Sequence, residues 1–155
     1  MIVVSDTSPI LNLNAIGFAR LFEPLYGQLL IPPAVAMELT RYGFDLAAAP
    51  WLQVRQTMDV AFVASLRMAL DPGEAEAIAL AKELKADAIL IDERLGRRAA
   101  RAEGIAVVGI LGVLAAAKNR GLIPTCAPLV AALRQADFWL SDDLCNQFLA
   151  SQGEA

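Results

Sequence analysis

The chain has 155 residues, 57% of them hydrophobic, and carries a formal net charge of −4 with no histidine. This length suits a single domain with a sizeable core. The lack of histidine excludes Ser-His-Asp and Cys-His catalysis and histidine-bound zinc. The negative charge argues against a broad electrostatic coating of nucleic acid. If the protein is an enzyme, the remaining side chains favour carboxylates that act with a hard metal ion.

The apolar stretches are too short to cross a membrane. Long uncharged segments such as 104–117 and 121–133 fall below the ~18–20 residues that a spanning helix needs. The first residues lack a basic region ahead of the apolar ones, so they do not resemble a signal peptide. Cys126 and Cys145 lie far apart without metal-type spacing, which indicates reduced cysteines in a cytoplasmic protein.

The first predicted element is a buried strand over 2–5, and Asp6 follows it directly. Ser8 is predicted to be the N-cap of a helix with Pro9 at its first position. In open parallel sheets, ligands bind just beyond the carboxyl ends of the strands. Asp6 is therefore a candidate site residue, although an Asx turn or a turn cap would explain it equally well.

Short helices and strands are predicted to alternate through the rest of the first half. Leu52 and Val54 are expected to point inward from one of these strands. The predicted elements are two short helices over 10–22 that Gly17 separates, a strand over 28–31, a helix over 32–42 that Gly43 ends, a loop or helical turn over 46–50, a strand over 51–57 and a helix over 59–70.

The segment Asp71-Pro72-Gly73-Glu74 predicts a helix start, with Asp71 as N-cap and Glu74 in the capping-box position. This helix is expected to reach about Leu84. The later predicted elements are a strand over 88–91, a helix over 95–103, a strand over 106–108 and helices over 109–119, 128–136 and 142–150. Residues 151–155 are expected to form a frayed tail.

The order of these elements predicts the fold class. Strands alternate with helices, and the strands are continuously apolar, which indicates a parallel sheet that is covered on both faces. We therefore expect one α/β domain over residues 1–150, a three-layer α/β/α sandwich with a central, mostly parallel sheet.

Asp6 and Asp92 each follow a predicted strand of this sheet. If the two strands are neighbours, both carboxylates lie at one end of the sheet. Carboxylates that close raise one another's pKa, and buried charges without a counter-charge are costly. The basic residue nearest to Asp6 in the sequence is Arg20, so Mg²⁺ or Mn²⁺ is the expected counter-ion.

Two further acids lie on predicted helices. Glu38 follows the second strand on a mostly apolar helix, although a surface pair with Arg41 would also explain it. Glu74 either faces the carboxyl end of the sheet or closes the capping box. Their neighbours supply substitutes, since Glu76 lies close to Glu74 in the sequence, as Glu93 does to Asp92.

Five segments that occur in order between about Val3 and Ser141 resemble a known family. They are Val4-Ser5-Asp6-Thr7-Ser8-Pro9; Leu30-Ile31-Pro32-Pro33-Ala34-Val35 with Glu38-Leu39; Leu70-Asp71-Pro72-Gly73-Glu74-Ala75-Glu76-Ala77-Ile78-Ala79-Leu80-Ala81; Ile89-Leu90-Ile91-Asp92-Glu93-Arg94; and Gly96-Arg97-Arg98 through Gly109-Ile110-Leu111-Gly112-Val113-Leu114. The set is similar to the PIN domain, the nuclease fold of VapC-type toxins, and most of all to its short stand-alone prokaryotic branch.

The resemblance implies a ribonuclease that hydrolyses RNA phosphodiesters with one or two Mg²⁺ or Mn²⁺ ions. By position, the implied catalytic and metal-binding acids are Asp6, Glu38, Glu74 and Asp92, and Ser8 matches a small hydroxyl residue that assists the metal site. Many VapC-type proteins have a Thr-x-Asp or Asp-Asp pattern after the fourth strand, whereas this chain has Asp92-Glu93. Glu93 therefore remains an alternative to Asp92, as Glu76 does to Glu74.

Basic residues and partners complete the prediction. Four arginines after the metal-site strand either contact the RNA backbone or form a solvated face with a Glu93–Arg97 pair; they are Arg94, Arg97, Arg98 and Arg101. The resemblance implies a homodimer and an antitoxin whose tail enters the active-site groove. Two other functions stay open, namely a non-catalytic PIN-like module that binds RNA or protein, and a structure-specific DNA nuclease.

Overall fold

The computed structural model describes residues 1–154 and contains one parallel sheet. Its strands are β1 (Val3–Ser5), β2 (Leu29–Ile31), β3 (Leu52–Val54), β4 (Ala88–Leu90) and β5 (Val107–Val108). All four strand pairings are parallel, and the order across the sheet is β3-β2-β1-β4-β5. The predicted parallel sheet is confirmed, and β1 lies at its centre.

Helices cover both faces of the sheet. Val3 of β1 belongs to one apolar cluster, which contains residues of the first, third, seventh and eighth helices along the chain. Val4 belongs to a second cluster, which contains residues of the fifth and sixth helices. This alternation confirms the three-layer sandwich. The helices are α1 (Thr7–Ala15), α2 (Phe22–Tyr26), α3 (Pro33–Arg41), α4 (Val60–Leu66), α5 (Pro72–Glu83), α6 (Arg94–Ala102), α7 (Ile110–Asn119), α8 (Ala127–Gln135) and α9 (Asp142–Ser151), with 3₁₀ turns at Ala19–Leu21 and Leu46–Ala48.

The first helix begins earlier than predicted. α1 starts at Thr7, and Asp6, rather than Ser8, occupies the N-cap position with an extended backbone. The Asp6 amide donates to the Leu90 carbonyl at 2.9 Å, so the sheet ladder ends there and the helix follows at once. Pro9 is tolerated at the third helical position because the first turn of a helix has no internal acceptors for its amides.

Two elements of the first half differ from expectation. β3 is an edge strand, and Val54 is exposed rather than inward, whereas Leu52 is half-buried against the core. α4 ends at Leu66 instead of continuing to residue 70, and Leu70 is reached through turns. Within residues 1–154, no helix is long and apolar enough to cross a membrane.

The chain end is anchored up to Glu154, so the prediction of a frayed tail is wrong for these residues; Ala155 lies outside the described residues. The Glu154 carboxylate accepts the amides of Cys126 and Ala127 at 2.9–3.0 Å. It also pairs with the Lys118 ammonium at 2.8 Å. These bonds satisfy the free amides at the start of α8, and the ammonium and amides lower the pKa of Glu154 to about 2.

The Glu154→Gln variant should melt at a lower temperature than the wild type at neutral pH. Because the folded-state pKa of Glu154 lies below its ordinary value, its stabilisation is present above about pH 4.5 and is lost as the pH falls toward about 2. We therefore expect the difference in melting temperature to shrink steadily over that range. A difference of equal size at both ends would show that the ionised carboxylate is not what anchors the tail.

Candidate active site

Asp6 lies at the carboxyl end of the central strand. β1 and β4 are neighbours with Ser5 opposite Leu90, so Asp6 and Asp92 follow adjacent strands at the same end of the sheet. Asp6 is 3% exposed, and among residues 1–154 its side chain accepts no hydrogen bond that caps α1. The Asx-turn or cap explanation therefore does not account for this residue.

Burial raises the pKa of Asp6 to about 7. The nearby Thr7 amide lowers it in part, while the charges of Asp71, Glu38 and Asp92 raise it further. At neutral pH the Asp6 carboxyl is thus close to half-ionised, and any nearby cation would favour its charged form. This buried acid is the electrostatic centre of the site.

Glu74 approaches Asp6 from the first turn of α5. The Asp71 carboxylate accepts the Glu74 amide at 2.9 Å, which confirms Asp71 as the N-cap. Within residues 1–154 the Glu74 carboxylate makes no return bond to the Asp71 amide, so the capping box is only half formed. Burial, followed by the carboxylates of Asp71 and Asp6, raises the pKa of Glu74 to about 8.

Glu38 is held at the same end by a neighbour that the sequence did not single out. The buried Thr7 hydroxyl donates to Glu38 Oε2 at 2.6 Å. The other oxygen passes so close to Gly73 that a Cβ there would lie 2.7 Å from Glu38 Oε1. Within residues 1–154, Glu38 forms no ion pair with Arg41, so the surface-pair alternative does not hold.

Asp92 has one fixed oxygen and one free oxygen. Its Oδ1 accepts the Ile110 amide at the start of α7 at 2.9 Å, while the buried Oδ2 has no hydrogen-bond partner among residues 1–154. Burial raises the pKa of Asp92, the Ile110 amide and Arg97 lower it, and Glu93 raises it. The amide anchors this carboxylate and leaves the second oxygen available to a ligand.

The two pairs of alternative acids differ in their contacts. Glu76 accepts the Ala34 amide at 3.2 Å and so supports the start of α3, whereas Glu74 faces Asp6. Glu93 is exposed, yet its charge raises the pKa of both Glu74 and Asp92. Glu93 therefore lies beside the acids, and it also lines a cleft of about 300 Å³ with Asp92 and Ser8.

The four arginines predicted to bind RNA divide into two pairs along α6. Arg94 and Arg97 line a cleft of about 870 Å³ together with Asp92. Arg98 and Arg101 are exposed. Within residues 1–154, the Nε of Arg97 is buried without a partner, and Arg97 forms no ion pair with Glu93. Arg97 instead lies beside Asp92.

The family follows from sequence comparison. A family model described as "DUF3368: PIN domain" matches residues 2–154. The chain belongs to the PIN-domain family. Among solved structures, a PilT N-terminus domain protein, SSO1118, from the hyperthermophilic archaeon Sulfolobus solfataricus P2 is similar with a TM-score of 0.56 and 20% sequence identity. The match covers 74% of this chain and 92% of that one, and it supports the fold. No curated protein matches the chain.

PIN domains have a nuclease-type fold and typically use divalent metal ions, and the acids of this PIN domain fit such an ion by their chemistry. Carboxylate oxygens suit Mg²⁺ and Mn²⁺, Asp92 Oδ2 is a buried acceptor without a partner, and within residues 1–154 no lysine or arginine pairs with Asp6. In the same range, no three acidic, cysteine or histidine side chains are grouped closely enough to enclose an ion. This arrangement suits Mg²⁺, which commonly uses one or two carboxylates and several waters.

Three residues near these acids were not predicted as site residues from the sequence. Thr7 fixes Glu38, and Asp71 contributes charge beside Asp6. Asn12 lines the smaller cleft with Ser8. Asn12 lies four residues after Ser8, so the sequence alone predicts that both residues lie on one face of the helix. The contact of Thr7 has no such signal, because it depends on how α1 packs against α3.

Gly73→Ala should weaken metal binding without unfolding the domain. The new methyl group would displace the Glu38 carboxylate, which is the end of a flexible side chain, so the backbone of α5 need not shift. We expect a several-fold weaker Mn²⁺ affinity by calorimetry with an unchanged melting temperature. Gly112→Ala on α7, whose methyl group would meet Val108 and no acid, is the matched control. Equal Mn²⁺ affinities for the two variants would argue against Glu38 as part of the site.

Proposed function

We propose that the protein is a metal-dependent endoribonuclease that hydrolyses RNA phosphodiesters with Mg²⁺ or Mn²⁺. The observation that carries this proposal is the buried Asp6 at the carboxyl end of the central strand, surrounded by the charges of Glu38, Glu74 and Asp92. Burying several acids together without a cation is unfavourable, so a fold that keeps them gains from a divalent ion at this position.

One or two of the acids Asp6, Asp92, Glu74 and Glu38 would hold the ion directly, and the others would hold it through water molecules. The ion would supply Lewis-acid activation of water and would neutralise charge on the phosphate. The Ile110 amide aims the free oxygen of Asp92, and the Thr7 hydroxyl orients Glu38. Arg97, beside Asp92 in the larger cleft, is placed to contact a backbone phosphate. The chain has no histidine, so no imidazole takes part in proton transfer.

A cleavage assay tests this proposal. Pools of structured and single-stranded RNAs would be incubated with Mg²⁺, Mn²⁺ or EDTA. We expect cutting that needs the metal and that leaves DNA of the same sequences intact. Cutting of branched or flapped DNA instead would favour the structure-specific DNA nuclease. A folded protein that binds RNA but cuts none of the pool in either metal would favour the non-catalytic module.

Glu74→Gln should lose most cleavage while keeping the stability of the wild type. The variant removes a charge at the proposed ion site and keeps the helix cap, which the Asp71 carboxylate makes with the Glu74 amide. Cleavage rate and melting temperature would be measured on the same preparation. A large drop in melting temperature with residual cleavage would assign Glu74 to capping instead.

We further propose that this ribonuclease is a VapC-type toxin that acts in the cytoplasm as a homodimer and is inhibited by an antitoxin. Large apolar side chains exposed around α4 support a protein interface; they are Met58, Val60 and Met68. Induced expression in bacteria should arrest growth with the wild type and not with Asp6→Asn. Light scattering should give the mass of two chains, and a monomer with no effect on growth would contradict this assignment.

A further inference from the structure

Trp139 is 83% exposed, although tryptophan is a residue that normally gains from burial. It lies in the short connection between α8 and α9. Its neighbours Phe138 and Leu140 both pack against the core, so Trp139 projects the other way. The indole is therefore displayed on the surface by a segment that is itself anchored.

The turn before Trp139 is well defined. Asp137 adopts a left-handed backbone with φ 67°, and the Phe138 amide donates to the Leu133 carbonyl at 3.0 Å. This pattern is a Schellman motif, which ends α8 and fixes the direction of the following chain. On the other side of the connection, the Ser141 hydroxyl accepts the Leu144 amide and starts α9. Trp139 is thus held between two helix caps.

The position of Trp139 relates it to the acids. It lines the larger cleft with Asp92, Arg94 and Arg97, and it also lines the smaller cleft with Asp92 and Ser8. Asp92 is the acid that both clefts share. A strand of RNA whose phosphate reaches Asp92 would therefore place a neighbouring base beside the indole.

The chemistry of the larger cleft fits a nucleotide. An exposed aromatic ring stacks on an unpaired base, and arginine binds the phosphate. The cleft volume of about 870 Å³ is in the range of small-ligand sites. The protein carries a net charge of −4, so electrostatic attraction alone gives RNA little affinity. Stacking supplies affinity that does not depend on net charge.

We propose that Trp139 is a stacking platform for an unpaired RNA base next to the cleaved phosphate, with Arg94 and Arg97 binding the backbone beside it. This inference rests on the proposed ribonuclease function and assigns to one exposed residue the role of holding an unpaired base. Stacking tolerates every base, so Trp139 sets how tightly a strand is held rather than which sequence is read.

Binding would be measured in EDTA, where no metal-dependent cutting takes place, with decaadenylate, decauridylate and an abasic phosphodiester strand of equal length. Tryptophan fluorescence reports binding at Trp139 directly, because the only other tryptophan, Trp51, is buried against Phe22. We expect quenching by both base-carrying strands and none by the abasic strand. Trp139→Ala should weaken binding roughly tenfold, and Trp139→Phe should bind nearly as the wild type but without quenching.

Tyr42→Ala provides the control, since Tyr42 is an exposed aromatic residue at the end of α3 and lines neither cleft. It should bind RNA as the wild type does. Equal quenching by the abasic strand, or unchanged affinity of Trp139→Ala, would overturn the platform. A shift of Trp139→Ala to a smaller assembly in light scattering, with RNA affinity intact, would also overturn it and assign the residue to a protein interface.

The same measurements separate this inference from the ribonuclease proposal. If the wild type cuts RNA and Trp139→Ala binds and cuts equally well, the platform fails and the nuclease stands. If Trp139→Ala loses affinity while the wild type cuts no RNA with either metal, Trp139 stands as a base-stacking residue and the nuclease proposal fails.

Discussion

The Asp6→Asn variant is expected to lose RNA cleavage by roughly 10³-fold or more while folding normally. Asp6 lies at the centre of the acids, and an amide cannot supply the negative charge that a divalent ion requires. Because asparagine has nearly the same shape, the packing around β1 should persist. Cleavage rates in saturating Mn²⁺ and Mn²⁺ affinity by calorimetry would both be measured.

Asp87→Asn is the matched control for this experiment. Asp87 precedes β4 at the opposite end of the sheet, where its carboxylate accepts the Ile2 amide at 2.6 Å. An asparagine oxygen can accept the same bond, so cleavage should be unchanged. If Asp6→Asn kept near wild-type cleavage, or if both variants lost it equally, Asp6 would not be the centre of the active site.

The second large effect is a loss of stability of the metal-free protein as the pH rises. The folded-state pKa values of Asp6 and Glu74, about 7 and about 8, lie above their ordinary values, so the folded protein binds more protons than the unfolded chain between about pH 4 and 8. Stability contributed by the protonated carboxyls is therefore present at the acidic end of this window and is lost toward its alkaline end. For Asp6 alone we expect the free energy of unfolding to fall by roughly 2–4 kcal/mol across this window.

Denaturation in EDTA across this window measures the effect. Asp6→Asn should flatten the slope and be more stable than the wild type at the alkaline end, because no charge is buried there. Mn²⁺ should restore the wild type most strongly at high pH, since metal binding competes with protons. A wild-type slope that Asp6→Asn leaves unchanged would place the titrating groups elsewhere.

The fold was largely predictable because its signals are local. Short apolar runs and strong helix starts, such as that at Asp71, identify the elements, and continuous apolar strands indicate a parallel sheet. The errors occur where contacts with residues distant in the sequence determine the local structure. The start of α1 depends on the bond between Asp6 and Leu90, and the exposure of Val54 depends on which strand lies at the edge. Neither fact is encoded in the segment itself.

The site was partly predictable for a related reason. Asp6 and Asp92 follow strands, so their common position requires only that β1 and β4 pair. Whether Glu74 or Glu76 faces the site depends on the rotation of α5 against α3, which pattern alone does not give. The role of Glu154 was not predictable, because a polar residue near the end of the sequence resembles part of a solvated tail. Only the structure shows its partners on α7 and at the start of α8.

The anchoring of α9 at both ends affects how the larger cleft binds. Ser141 caps the first turn of α9. Glu154, which follows α9 in the chain, bonds to Lys118 of α7 and to the Cys126 amide at the start of α8. Helix α9 contributes Leu144, Gln147 and Phe148 to the cleft wall. A wall fixed in this way loses little conformational entropy when a ligand enters, so the cleft is preorganised. The amides of α9 should accordingly exchange with deuterium at rates close to those of the core helices, with or without RNA.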